Sequence, residues 1–483
     1  MKIRLLSVSL LVFFLFILAG CINIGPTYKK PNLGITLPNS YQHAPKEKLL
    51  PKPNERWWEV FNDPYLNKLI DEALKNNLDI KKATSRILEL QSQLAYTRAD
   101  RFPKLEFQAQ TMRQHQTITV MAPTPVSKTE TSNIYNLSFA ASFEIDLWGR
   151  LSKAEEAKRA ELLNAKENRQ TIAQSIVAET ITIYLQIESL ERRIKLTKKK
   201  IENYRQSLKI VKRRYERGLV SILDVKQAKR MLSQAKAALP SLEENLGMKQ
   251  QQLAMLLGRY PKTSPPRVQP EDYFKHLTPV PPGLPSELLL RRPDIRAALA
   301  KLKALNAQVG VAKASRFPHI TLTGSYGYTS TALDQLFRPE SLLWNLALGM
   351  LEPIFDAGQL KANQKAAEAR YQQGLVEYAK TVLTAFYEVE SALLIREKEL
   401  EKRKKILNLL REAKATEKVA KERYMRGLVN YLTVLESQRS TFQAEEELIL
   451  VDLAIYTNRV SLHRALGGGW AKMSSDLTKK PNL

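Results

Sequence analysis

Side chains able to do covalent, acid–base or metal chemistry are few in this sequence, and their spacing does not suit it. The five histidines, His43, His115, His276, His319 and His463, stand far apart, with none of the short ligand spacings a metal site needs. No glycine-rich phosphate loop is present. The only cysteine, Cys21, rules out a disulfide within the mature chain. No catalytic residue, metal or cofactor is therefore expected, and the one reactive group to explain is the Cys21 thiol.

Cys21 closes the stretch MKIRLLSVSLLVFFLFILAGC. Lys2 and Arg4 precede an apolar run from Leu5 to Leu18, about 14 residues, which is too short to span a bilayer and right for a cleaved export signal. Leu-Ala-Gly-Cys resembles a bacterial lipobox, so residues 1–20 are expected to be removed and Cys21 to become a lipid-linked first residue. Ile22, where aspartate would hold a lipoprotein at the inner membrane, is similar to lipoproteins passed to the outer membrane. A Pro-rich, lipid-anchored leader, 21–57, is expected next. No other segment is long and apolar enough for a transmembrane helix.

Charge points less clearly to a partner. The formal net charge of +26 suits nucleic acid or an anionic membrane only if Lys and Arg cluster. Instead they interleave with Glu, as in ESLERRIKLTKKKIENYRQ, the pattern of a solvated helix face with i,i+4 pairs. The hydrophobic fraction of 44% supports a sizeable core.

The chain is written twice. Asn77-Leu78-Asp79-Ile80 matches Arg292-Pro293-Asp294-Ile295, RADRFP matches KASRFP, and RRYERGLVSILD matches ERYMRGLVNYLT. Two structural repeats follow from this, 58–258 and 287–467, each reading helix, strand pair, very long helix, glycine break, long helix. The strand pairs fall at 103–146 and 318–354, and the breaks near 218 and 427. A Pro-rich linker, 259–286, separates the repeats, and 468–483 is a C-terminal tail.

Between Gly149 and Gly218 there is neither glycine nor proline, which allows a single helix about 100 Å long at 1.5 Å per residue. Within it Ala173, Ile176, Thr180, Ile183, Ile187, Leu190, Ile194, Thr197, Ile201, Tyr204, Leu208, Val211 and Tyr215 alternate steps of three and four, a seam that asks for partner helices. The counterpart seam after Gly358, Phe386, Val389, Leu393, Leu400, Leu407 and Leu410, is interrupted by Arg396 and Arg403. Gly218 is suited to a left-handed cap, and Ser221 with Asp224 to a capping box; Gly427 and Asn430 repeat the stop and start. Each RGLV phrase is thus a tight turn at the end of a helical hairpin. On this local reading Tyr215 and Tyr424 end packing seams, and Glu436 with Arg439 is an ordinary i,i+3 pair.

Four runs change to period two: Leu105 to Gln110, Tyr135 to Ile145, Ile320 to Tyr328, and Trp344 to Met350. The alternating cores run 6 to 11 residues, and with their flanks they suit strands of about 9–12 residues, the length a tilted strand needs to cross a bilayer, with Phe107, Tyr135, Tyr328 and Trp344 suited to interfacial girdles. Four strands cannot close a barrel, and open edges in lipid leave backbone groups unpaired. Three chains would supply twelve strands and gather the long helices into a hollow bundle. The expected class is mainly α with membrane β: trimeric, coiled-coil helices forming an α-barrel and four strands per chain joining a twelve-stranded β-barrel.

Taken in order, CINIGPTYKKP, WWEVFNDPYLNKLI, FEIDLWGR, GLPSELLLRRPDI, ASRFPHITLTGSYGY, EPIFDAGQL, RGLVNYLTVLESQRS and RALGGGW resemble the TolC-type outer-membrane factors, in particular the OprM-like lipoproteins that partner resistance-nodulation-division (RND) pumps. The resemblance covers nearly the whole mature chain. It implies a homotrimeric efflux duct, passive and not an enzyme, served by a periplasmic adaptor and an inner-membrane RND pump, and seated in outer-membrane lipid. It assigns adaptor contact to Tyr215, Gly218, Leu219, Val220, Tyr424, Gly427, Leu428 and Val429. It assigns the periplasmic gate to Leu432, Glu436, Arg439 and Asp224. Thr433 stands where other members carry an aspartate, so an acidic ring is depleted here. Two rivals are a lipid-anchored coiled-coil scaffold, which has no need of membrane-length alternating strands, and a nucleic-acid binder, which the export signal opposes.

Overall fold

The computed structural model describes residues 24–29, 31–32, 34, 38, 40–44, 56–121, 125–262, 280, 288–289 and 291–468. Cys21, His276, the signal segment, most of the leader and linker, and residues 469–483 lie outside the described residues. A short turn at Trp57–Phe61 leads into α1 (Pro64–Asn76) and α2 (Leu78–Ala99), then β1 (Lys104–Met121), β2 (Pro125–Ile145), α3 (Arg150–Glu216) and α4 (Ile222–Leu256). After the linker come α5 (Pro293–Ala314), β3 (His319–Ser330), β4 (Leu342–Leu351), α6 (Gln359–Met425) and α7 (Tyr431–Ala465). α3 and α6 are each 67 residues long, and α4 and α7 each 35. Two helices open the first half where one is expected, because Asn77 leaves the helical region and its side chain accepts the Asp79 and Ile80 amides at 2.9 and 3.2 Å, starting a new helix.

The chain divides into two compact units, the first built from 1–33, 86–165 and 297–378, the second from 34–85, 166–296 and 379–483. The first unit holds an antiparallel sheet of order β1-β2-β3-β4. Its register sorts the side chains by face. Phe107, Phe139, Tyr326 and Trp344 form one row across all four strands; Ala109, Leu137, Tyr328 and Leu342 lie above it, and Leu105, Ala141, Gly324 and Leu346 below. The intervening rows belong to the other face and are mostly polar or small, such as Glu106, Ala140, Ser325 and Asn345, with Leu343 opposite Gly327 and Met112 opposite Ile134 as apolar exceptions. On the apolar face Phe107 is 59% exposed, Trp344 69% and Met350 72%, so these positions have no cover among the described residues. β1 and β2 run to 18 and 21 residues, beyond the expected length, because alternation continues through polar partners such as Thr117 and Thr129, whose hydroxyls lie 3.0 Å apart.

Both long helices leave the sheet by the same device. The Asp146 carboxylate accepts the Leu151 and Ser152 amides at 3.0 and 2.8 Å, and the Asp356 carboxylate accepts the Gly358 and Leu360 amides, both at 2.8 Å. Those backbone amides hold the Asp356 carboxyl below the usual carboxylate range. Gly149 and Gly358, at φ 79° and 86°, supply the left-handed backbone beside each cap. FEIDLWGR and EPIFDAGQL are therefore helix-start motifs.

In the second unit the WWEVFNDPYLNKLI motif forms the densest core. Trp58, Leu66 and Ile70 pack with Val177, Ile181, Tyr184 and Leu185 of α3 and Tyr456 and Val460 of α7. Asp63 caps α1, accepting the Tyr65 amide at 2.9 Å and the Tyr184 hydroxyl. The two return helices end on matching clamps: Asn77 Nδ2 donates to the Leu256 carbonyl at 2.9 Å, and Arg292 Nη1 donates to the Ala465 carbonyl at 3.0 Å. Beside each clamp a glycine permits close approach; a Cβ on Gly258 would lie 2.8 Å from the Asn76 carbonyl oxygen, and one on Gly467 3.1 Å from the Arg291 backbone.

The α3 seam is buried at Ala173, Ile176, Thr180, Ile183, Ile187, Ile194, Ile201, Tyr204 and Val211. It ends there, since Tyr215 is 44% exposed. The α6 seam departs from expectation, with Leu400 and Leu407 facing outward at 38% and 39% exposure. The buried positions are Val382, Ala385, Val389, Ala392, Ile406, Ala413, Ala420 and Tyr424. Continued in steps of three and four, that series runs through Arg396, Glu399, Arg403 and Glu417, so the charges lie in the seam rather than interrupting it. Arg403 is answered by Asp452 of α7 at 2.7 Å. Elsewhere the interleaved charges form helix-face pairs, such as Lys158–Glu161 and Lys405–Glu401, both at 2.8 Å.

Glu188, on α3 within this core, sits 2.6 Å from Arg192 with its side chain only 3% exposed. Burial pushes its carboxyl up to about 7, against the pull of Arg192 and with help from Asp63 and Glu191. A folded-state value above the ordinary 4.5 means that the folded chain holds a proton the unfolded chain has released. Stability is thus fully present below pH 4.5 and declines as pH rises through about 7. Glu188→Gln is expected to flatten that decline in melts followed by circular dichroism in detergent. Equal slopes for variant and wild type would remove Glu188 from the effect.

Candidate functional site at the two hairpin turns

α3 stops because Gly218 adopts φ 71°, letting the Gly218 amide bond the Tyr215 carbonyl at 2.8 Å and the Leu219 amide bond Arg214 at 2.9 Å. α6 repeats this at Gly427, φ 76°, with Gly427 to Tyr424 at 3.0 Å and Leu428 to Arg423 at 2.9 Å. A Cβ at either glycine would meet nothing within 4 Å, so backbone conformation rather than space requires glycine. α4 starts with the Ser221 amide donating to the Asp224 carboxylate at 3.2 Å. α7 starts with Asn430, whose side-chain oxygen accepts the Thr433 amide at 3.1 Å and the Thr433 hydroxyl at 2.9 Å. Asp224 and Thr433 are both engaged in caps.

The two turns share one core. Tyr204, Val211, Val225 and Ala228 from the first hairpin pack with Tyr424, Tyr431, Val434, Leu435 and Phe442 from the second, and Val220 and Val429 close over them. Of the residues assigned to adaptor contact, Leu219, Leu428 and Tyr215 point outward at 60%, 67% and 44% exposure, whereas Tyr424 is buried and ends the α6 seam. Leu432 is 43% exposed. Glu436 and Arg439 are exposed on the same helix, and no ion pair joins them among the described residues.

Arg214, which sequence reasoning passed over, couples the hairpins. Its Nη1 donates to the Met425 carbonyl at 3.1 Å, and its guanidinium lies 4.9 Å from the centre of the Tyr424 ring. Tyr424 in turn lies 5.5 Å from Tyr431, and burial pushes both phenols up. Higher up, fully buried Gln438 of α7 donates to Asn203 Oδ1 of α3 at 3.1 Å. The sequence carries a hint in the repeated Arg-Tyr pairs, Arg214-Tyr215 and Arg423-Tyr424, but the partner of Arg214 is the tyrosine of the other turn, a pairing that spacing cannot reveal.

The two turns present exposed Leu side chains, and the hairpins are held together by cation–π contacts of Arg214 with Tyr424 and Lys200 with Phe442, by hydrogen bonds and by apolar packing. His463, stacked 4.6 Å from Trp57, is pushed down to about 3 by burial and so is a neutral core group at neutral pH.

A family model described as outer membrane efflux protein matches residues 69–259 and again 284–468. The probable outer membrane lipoprotein SilC of Salmonella typhimurium is 32% identical over 482 residues, covering 98% of this chain and 100% of its own. The solvent efflux pump outer membrane protein SrpC of Pseudomonas putida is 33% identical over 470 residues, 96% of this chain and 98% of its own. The solved outer-membrane channel OprN superposes with a TM-score of 0.86 at 28% identity, covering 92% of this chain and 99% of its own. Such proteins are channels rather than enzymes, and they reside in the bacterial outer membrane. On full-length similarity in both sequence and fold, this chain belongs to the outer membrane efflux protein family.

Proposed function

We propose that three copies of this chain form a passive exit duct whose twelve-stranded wall crosses the outer membrane, and whose helices receive small molecules from a periplasmic adaptor and an inner-membrane RND pump. The observation that carries this reading is the open sheet, with an apolar face uncovered among the described residues, a mostly polar or small opposite face, and outer edges on β1 and β4. From Tyr135 to Ile145 the apolar rows extend about 34 Å at 3.4 Å per residue, or about 25 Å of depth at a tilt of 40–45°, matching the lipid-facing band of such barrels. Equal lengths for α3 and α6 and for α4 and α7, the matched clamps of Asn77 and Arg292, and a family match in two successive stretches support an internally duplicated plan. Cargo of the drug, metal or solvent class accords with a relative named for solvent efflux. The mature chain is taken to start at lipidated Cys21.

Native mass spectrometry in mild detergent is expected to give a trimer carrying lipid on Cys21, and Cys21→Ser to lose the lipid mass while keeping the trimer. A monomer would end the shared-wall reading.

The RGLV turns are taken as the adaptor contacts, and Leu432, Glu436, Arg439 and Asp224 as the gate, with Arg214 and Tyr424 fastening one hairpin to the other. Single-channel recording in planar bilayers is expected to show higher resting conductance for Arg214→Ala, for Tyr424→Ala, and for Glu436→Ala combined with Arg439→Ala. A single cation–π contact with a hydrogen bond supplies only about 1–2 kcal/mol, a roughly five- to thirty-fold change in the ratio of open to shut states. Currents identical to wild type would exclude the altered side chains from gating.

A further inference from the structure

Of the four charged positions in the α6 seam, Arg403 meets Asp452, Glu417 meets Lys421 one turn on at 2.5 Å, and Glu399 keeps one carboxylate oxygen buried without a hydrogen-bond partner among the described residues. Arg396 meets no acidic side chain among the described residues. It lines a cavity of about 110 Å³ whose walls are Leu400 of α6, Ile455, Asn458, Arg459 and Leu462 of α7, and Val280. Not one of these side chains is acidic. Arg459 has other interactions of its own, yet it also turns toward the same space as Arg396, from the opposite arm of the hairpin. Burial and the neighbouring Arg396 charge push the Arg459 guanidinium down to about 10, the response of two like charges sharing an enclosed site.

Asn458 fixes the frame, its Nδ2 donating to the Ala392 carbonyl of α6 at 2.9 Å. At about 30 Å³ per water, the cavity holds three or four waters or one ion of similar bulk. Guanidinium forks match the oxygens of phosphate and carboxylate in pairs, and a group accepting from both would offset their mutual repulsion. An aliphatic cargo would leave two half-buried guanidinium groups facing it, and a metal cation would be repelled.

We propose that this cavity binds one small tetrahedral oxyanion, phosphate or sulfate, between Arg396 and Arg459, stapling α6 to α7. The site is separate from the hairpin turns and does not depend on how they gate.

The test uses full-length protein in detergent, with thermal melts in sodium phosphate against sodium chloride at matched ionic strength. Wild type is expected to gain a saturable rise in Tm, on the order of 2 °C, at millimolar phosphate. Lys402→Gln, an exposed charge-loss control, is expected to keep that rise. Arg396→Gln is expected to lose it, and in chloride alone to melt at or above the wild-type temperature because the repulsion is gone. Arg396→Lys, which keeps the charge but not the fork, is expected to need about tenfold more phosphate. General salting effects grow without saturation and appear equally in every variant. No saturable rise in wild type, or the same rise in Arg396→Gln, would overturn the proposal. So would a rise produced by a short-chain phosphatidic acid and not by inorganic phosphate, which would make the ligand a lipid headgroup.

Discussion

Backbone hydrogen bonding in hydrocarbon is the constraint on which the rest depends. Inside a bilayer an unpaired N–H or C=O costs several kcal/mol, and water is absent to satisfy it. This chain places four strands in a sheet, and the outer edges of β1 and β4 have no neighbouring strand among the described residues. One edge of ten residues, the length of β4, offers about five donors and five acceptors, a penalty far above the net stability of any single domain. Such a sheet is viable in lipid only where another sheet completes it. The distribution of Phe107, Phe139, Tyr326 and Trp344 on one face and Glu106, Ser325 and Asn345 on the other fits a wall with lipid outside and water inside.

The helices face a different problem, because 67 residues of helix must hold their direction with little globular core around them. Their ends are therefore over-determined. Asp146 and Asp356 satisfy the first amides, glycine caps satisfy the last carbonyls, and Asn77 and Arg292 pin the returning helices. Between these fixed ends the seams differ in kind. Opening the α3 seam exposes Ile, Val and Tyr at about 25 cal/mol per Å². Parting α6 from α7 around Arg403 and Asp452 exposes groups that water solvates well, though an ion pair this buried resists losing one partner alone.

Much of this was legible in the amino-acid order. Period two in Tyr135 to Ile145, the heptad steps from Ala173 to Val211, and the absence of glycine and proline between Gly149 and Gly218 each encode local geometry, and the structure follows them closely. Reading failed where the decisive contact joins distant parts of the chain. Leu400 and Leu407 looked like seam residues because they are leucines, yet the neighbouring arm meets the face bearing Ala392 and Arg403, since Asp452 and the Asn458 amide are complementary to it. Arg214 was invisible for the same reason, its partners Tyr424 and Met425 belonging to the other hairpin. The extra length of β1 and β2 was hidden by polar alternation, which registers weakly against an apolar template.

The proposed gating requires tips so firmly built to change state. Each turn carries its own Schellman contacts and its own N-cap, so φ and ψ there are fixed locally and do not depend on the other hairpin. Deforming a turn would sacrifice several hydrogen bonds and force Gly218 or Gly427 out of its left-handed well. Moving one hairpin past the other breaks side-chain contacts instead: those of Arg214, the Gln438 amide bonds, the Arg193–Glu446 and Lys199–Glu445 ion pairs, the Lys200–Phe442 contact and part of the packing around Tyr204, Tyr424 and Phe442. The second set lies on side chains at the helix surfaces and is the one a bound partner could replace. Under that proposal a partner gripping the exposed Leu219 and Leu428 edges would act on the hairpins as rigid levers, and the energy it must supply would be set by the contacts between them rather than by the turns themselves.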